Sequence, residues 1–127
     1  MSKIVQQIGQ SALGPLTVEE ETVSRSYLFS DDFAGFAGHF PQFPILPAVV
    51  EILTVVSLMG EHLGAKQRLV AVEDAKFMNP VRPNQEVAVS CRPRTVRGKA
   101  LYDAQLSVEG KTAAAFLLEL HPVESVA

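Results

Sequence analysis

The sequence predicts an α+β fold in which a strongly curved antiparallel sheet of five to six strands wraps one long, central, apolar helix. Three observations carry that expectation. The run Ala48–Met59 (AVVEILTVVSLM) is apolar on nearly every helical face, so it has to be covered on most sides. Everything after Gly64 divides into segments of alternating polarity separated by turn residues. One helix cannot cover both faces of such a sheet unless the sheet curls around it, and an edge or open face is then left for a second copy. A homodimer, or a higher assembly of dimers, is the expected state.

The elements follow in order. Residues 1–16 read as a segment peripheral to a single domain spanning 1–127. Thr17–Phe29, rich in Thr, Val, Ser and Tyr, reads as the first strand, and Ser30–Leu46 as a long loop with four phenylalanines, too aromatic for disorder. Pro47 suits the first turn of the helix and Gly64 its end, with Gly60 an earlier possible stop. Arg68–Met78 is the next strand, closed by Asn79-Pro80. Glu86–Arg92 places Val87, Val89 and Cys91 on one face; Leu101–Glu109 places Tyr102, Ala104, Leu106 and Val108 on one face. Thr112–His121 completes the sheet, Arg97-Gly98-Lys99 and Glu109-Gly110-Lys111 are the turns, and Pro93 belongs at a bulge or an exposed edge.

Composition removes several function classes. The 127 residues are 47% apolar and 20% charged, with a formal net charge of −3, which disfavours nucleic acid as the main partner. The lone Cys91 forms no internal disulfide, and the three histidines are scattered, so a reducing, cytoplasmic setting is expected and no metal site. Residues 1–14 lack a signal-peptide apolar stretch, and Pro44–Gly60 is 17 residues long and carries Glu51, short of the roughly 20 that span a bilayer. No membrane partner is expected. Neither a phosphate-binding loop nor a dinucleotide fingerprint is present, so no cofactor is expected. Arg92, Arg94, Arg97 and Lys99 fall within eight residues, either as a solvated hairpin end or as a docking patch for an acidic partner.

The chemistry concentrates in Gly38-His39-Phe40-Pro41-Gln42-Phe43-Pro44-Ile45-Leu46-Pro47-Ala48-Val49-Val50. It sets a histidine in a proline-stiffened loop just before a helix whose first N–H groups are free to meet an anion or developing oxyanion. A base beside such a site suits proton abstraction next to a carbonyl. A histidine that only caps the loop or helix is the competing reading. Elsewhere, His62 reads as a helix-end residue, His121 as surface and Cys91 as an inert buried thiol. Phe29, Phe33, Phe36, Phe40 and Phe43 serve either a core or an apolar tunnel.

The segment resembles the signature G-H-F-P-x-x-P-x-x-P-G-V of the hot-dog-fold 3-hydroxyacyl-ACP dehydratases, with Ala48 at the last glycine. Ala75-Lys76-Phe77-Met78-Asn79-Pro80-Val81-Arg82-Pro83-Asn84 is similar to a second block of that family, and the likeness spans residues 17 to 121. The resemblance implies the hot-dog fold, a homodimer with active sites at its interface, and an acyl carrier protein bearing a 3-hydroxyacyl chain as partner. It implies His39 as the base that removes the C2 proton, the Ala48 N–H as donor to the thioester oxygen, and Val49, Phe40 and Phe77 as further substrate-binding residues. The family's acid, 14 positions after the histidine, is replaced here by Leu53. Glu51 stands 12 positions after His39, about 200° around an ideal helix from Leu53. A polar residue at that place is a feature of the aryl-polyene-type (ApeI-type) branch, which makes Glu51 the second candidate catalytic residue. It equally fits a first-turn carboxylate favoured by the helix dipole. The expected activity is reversible removal of water to give a trans-2-enoyl thioester. A hot-dog acyl thioesterase and a non-catalytic acyl-carrier binding protein are the alternatives.

Overall fold

The computed structural model describes residues 3–36 and 43–123. Its elements are α1 (Lys3–Gln10), β1 (Ala12–Glu19), β2 (Thr22–Leu28), a short 3-10 turn at Ala34–Phe36, α2 (Ala48–Leu63), β3 (Gln67–Phe77), β4 (Glu86–Val96), β5 (Lys99–Val108) and β6 (Lys111–Pro122). The six strands form one antiparallel sheet in the order β1-β2-β4-β5-β6-β3. This is the hot-dog arrangement.

Three two-residue turns fix the hairpins. Arg97-Gly98 joins β4 to β5 and Glu109-Gly110 joins β5 to β6, each with both residues at positive φ, the geometry whose twist matches the flanking strands. The third is Glu20-Glu21, at φ 48° and 70°, and it corrects the single strand expected over Thr17–Phe29. That stretch is a hairpin. Two glutamates lack the Asn-Gly or Asp-Gly chemistry that marks such a turn, so it left no sequence signal.

The alternation read from the sequence holds on the helix-facing side. Val87, Val89, Cys91, Ala104 and Leu106 are fully buried and pack with Phe116 and Leu118 of β6 against Val50, Val55, Leu58 and Met59 of α2. Pro93 sits where β4 runs on past the end of its pairing with β2, a local edge that needs no N–H donor. Gly64 ends α2 in the left-handed region, φ 71°, with Ala65 N–H bonded to the Gly60 carbonyl.

Two expectations change. The helix is not covered all round: its buried stripe is Val50, Glu51, Thr54, Val55, Leu58 and Met59, while Val49 is 61% exposed. The N-terminal segment is not merely peripheral, because Ile8 of α1 is fully buried in the main core. An eight-residue helix carries too few apolar repeats to stand out in a sequence scan.

The two sheet edges differ. β1 is blunted by Pro15 and by a register shift between Leu13 and Thr17. β3 is eleven residues long and leaves Leu69, Val70 and Val72 partly in solvent. No helix among the described residues is long and apolar enough to cross a membrane.

Candidate active site

The entry to α2 is built from backbone. Pro47 holds φ −63° and ψ 148°, and its carbonyl accepts the N–H groups of Val50 at 3.0 Å and Glu51 at 3.2 Å. Ala48 and Val49 precede those donors, so their N–H groups have no intrahelical acceptor, nor any backbone partner among the described residues. Leu46 donates its N–H to the Val81 carbonyl at 2.7 Å, which locks the pre-helix segment to the chain leaving β3. Met78 and Asn79 both donate to the Ala113 carbonyl, and Asn79 Nδ2 to that of Thr112, which fixes the opposite wall.

Between these walls lies a cleft of about 310 Å³ lined by Ile45, Leu46, Pro47, Ala48, Glu51, Phe77, Met78, Asn79 and Pro80. It is mostly apolar, and Glu51 is the one ionisable group among the described residues that line it. That side chain is only 4% exposed, and its Oε2 is the one buried side-chain oxygen without a hydrogen-bond partner among the described residues. Burial pushes its carboxyl up from the ordinary 4.5 to about 7. Such a displacement corresponds to about 3 kcal/mol, whereas a helix N-terminus returns only ~0.3–1 kcal/mol to a nearby carboxylate. Desolvation wins, so the dipole alone does not account for a carboxyl here. A carboxyl poised near neutrality can hold a proton in an apolar cleft and release it.

Ala48, Glu51 and Phe77 are therefore brought together. Val49 is 61% exposed on the single chain and is not among the residues lining this cleft, because one step from Ala48 rotates a helical side chain by about 100°. His39 and Phe40 lie outside the described residues. Leu53 packs, half-buried, against the core. Sequence reading missed Met78, Asn79 and Pro80 as cleft walls. The signal was present in the end of the β3 segment at Asn79-Pro80, but only the pairing with β6 sets it across from α2.

The remaining candidates resolve into structure. Phe29 stacks with Tyr27 at a centroid distance of 6.1 Å and meets Phe33 at a tilt at 4.8 Å, and Phe36 meets Phe33 edge-on at 5.8 Å, all buried in the core. Phe43 is 66% exposed. The Cys91 thiol is buried and pushed up to about 12, chiefly by desolvation and further by Asp103, so it stays protonated and inert. His62 is exposed in the last turn of α2, and His121 pairs at 2.9 Å with Glu119 on the surface. In the basic cluster, Arg94 is tied to Asp103, and Lys99 to Glu73 and Glu119. No group of three or more His, Cys, Asp or Glu able to hold a metal occurs among the described residues.

Comparison with known proteins bears on this geometry. Residues 16–115 match the model of the ApeI-like family, described as ApeI dehydratase. The 3-hydroxyacyl-(acyl-carrier-protein) dehydratase FabZ of Alkalilimnicola ehrlichii is 33% identical over 90 residues, covering 62% of this chain and 58% of that protein. The FabZ of Granulibacter bethesdensis is 35% identical over 98 residues, covering 65% and 58%. The matched region thus spans less than two thirds of either relative. Among solved structures, the dehydratase heterocomplex ApeI:P from Xenorhabdus doucetiae has a chain that superposes with a TM-score of 0.73 at 20% identity, over 86% of this chain and 95% of that one. The E. coli PaaI protein of the phenylacetic acid degradation operon gives 0.62 at 15% identity, over 95% and 99%. These two structures share the fold; the family match over 16–115 goes further, and by it the chain belongs to the ApeI-like dehydratases of the hot-dog fold.

Proposed function

We propose that this chain is a 3-hydroxyacyl-(acyl-carrier-protein) dehydratase, a hydro-lyase of fatty-acid or related lipid biosynthesis, and that it works as a homodimer. The observation that carries the reading is the buried, unpartnered carboxyl of Glu51 sharing one apolar cleft with the Ala48 N–H at the start of α2.

The roles follow from the chemistry. His39 removes the C2 proton of the 3-hydroxyacyl thioester as general base. Negative charge gathers on the thioester oxygen, where the Ala48 N–H and the positive end of α2 stabilise it. As the C2–C3 double bond forms, the C3–O bond breaks and the Glu51 carboxyl gives its proton to the departing hydroxyl, which leaves as water. The proton on His39 then returns to Glu51 through solvent, and both groups are reset. Each step is redox-neutral and needs only a base, a donor and an acid. Dehydration uses Glu51 in its protonated form, whereas hydrolysis of the thioester would require it as a carboxylate to activate water.

The dimer reading rests on β3, whose unpaired edge carries apolar side chains that a second copy would cover. The test is direct. Purified protein given a 3-hydroxyacyl thioester on acyl carrier protein should generate the ultraviolet absorbance of the conjugated enoyl thioester. No signal above a His39→Ala control, across several chain lengths, removes the proposal. Free thiol without enoyl product would point to a thioesterase, and carrier binding without turnover to a binding protein.

A further inference from the structure

We infer that Arg82 recognises the phosphate of the substrate's thioester arm at the mouth of the cleft. The inference rests on the dehydratase reading, because that reading supplies a thioester delivered on a phosphorylated pantetheine arm. Arg82 follows Pro80, which lines the cleft, and Val81, whose carbonyl is bonded to the Leu46 N–H. Those contacts place Arg82 beside the segment that forms the other rim, and its guanidinium carbon stands 5.9 Å from the ring centroid of the exposed Phe43.

The backbone under Arg82 is held while its charge is not. Its N–H donates to Gln85 Oε1 at 2.8 Å, and the Asn84 N–H to the Phe29 carbonyl at 2.7 Å. No carboxylate among the described residues lies within ion-pairing distance of the guanidinium. An arginine resting on an aromatic face is oriented yet keeps its N–H fork for a second partner, and a phosphate accepts that fork in two parallel bonds.

In the basic hairpin at Arg92–Lys99, the rival anion site, two of the four cations, Arg94 and Lys99, are already paired with carboxylates. Leu106 on β5 is level with Ala114, which pairs with Phe77 at the cleft, and Lys99 lies seven residues earlier on the same strand. At the rise of a strand the Lys99 backbone is about 23 Å along from that level, and its ammonium turns to Glu73 and Glu119.

The test compares one 3-hydroxyacyl group presented on pantetheine, on 4′-phosphopantetheine, on coenzyme A and on acyl carrier protein. Wild-type protein should prefer 4′-phosphopantetheine over pantetheine in kcat/KM, and Arg82→Gln should shrink that preference about tenfold through KM, in line with one lost charged hydrogen bond. Arg82→Lys should restore part of it. An equal loss on both substrates would overturn the inference while leaving the dehydratase reading intact. If no substrate yields enoyl product, the dehydratase reading fails separately. Calorimetric binding of 4′-phosphopantetheine and pantetheine then decides Arg82: equal affinities, or a preference that survives Arg82→Gln, overturn its role. Discrimination on coenzyme A and the carrier alike assigns Arg82 to the phosphate both share; an effect confined to the carrier would overturn that assignment in favour of the carrier's protein surface.

Discussion

Ala48 and Glu51 stand one helical turn apart on the same side of α2, and both line the cleft. On the proposed mechanism, the donor to the thioester oxygen and the proton donor to the leaving group come from one short stretch of chain. The amide can be removed without disturbing the helix. Pro47 already holds the extended conformation that precedes a proline, and Ala48 is the first helical residue, where proline is favoured. Ala48→Pro should fold with unchanged stability and lose about 10²–10³-fold in kcat. Full activity in a folded Ala48→Pro protein would remove that amide from the mechanism.

Glu51 makes two linked predictions. Glu51→Gln keeps the shape but supplies no proton, so kcat should fall by about 10²–10⁴-fold. Its stability profile should change as well. Below 4.5 the carboxyl is neutral folded and unfolded; between 4.5 and about 7 the unfolded chain has released a proton that the folded state retains. Wild-type stability therefore falls with rising pH over that window, by up to about 3 kcal/mol, and is level again above it. Denaturant titrations across the window should show this slope in wild type and its loss in Glu51→Gln. Parallel profiles would mean that Glu51 ionises freely.

Strand β3 offers the exposed Val70 and Val72 at an unpaired edge. Lysines at both positions should keep two copies apart. Light scattering should then report the monomer mass for Val70→Lys/Val72→Lys and the dimer mass for wild type. Dimers of the double variant would place the interface elsewhere.

At the β1–β2 turn, Glu20 and Glu21 both hold positive φ, and they put two like charges side by side. Replacing them by Asn-Gly should raise stability by about 1 kcal/mol, since those residues adopt this geometry with less strain. Chemical denaturation checks it: an unchanged or lower midpoint would show that the turn carries no strain to relieve.

Strands β4 and β5 were readable because alternate side chains of each enter the core, and Gly98 and Gly110 mark the turns that follow them. The Glu20-Glu21 hairpin was not, since its geometry is imposed by the pairing of β1 with β2. The same contrast holds at the site. The motif around Pro47 announced a helix start with free amides, and Glu51 stood out as the lone charge in an apolar run. Nothing in the residue types said that Met78, Asn79 and Pro80 would close the opposite wall, or that Arg94 and Lys99 would be spent on neighbouring carboxylates.

By itself the sequence determined the sheet built on one long helix (though not α1), the inward-facing residues of β4 and β5, and the stretch of chain with the candidate chemistry, because periodicity, prolines and glycines act over a few residues. Only the tertiary structure decided that Glu51 is buried in an apolar cleft with an oxygen that has no partner among the described residues, that Val49 is exposed, and that Arg82 rests beside Phe43 with no counter-charge among the described residues. Desolvation and charge pairing depend on which distant strands and loops arrive next to a side chain, and that proximity is created by the packing of β3 and β6 around α2.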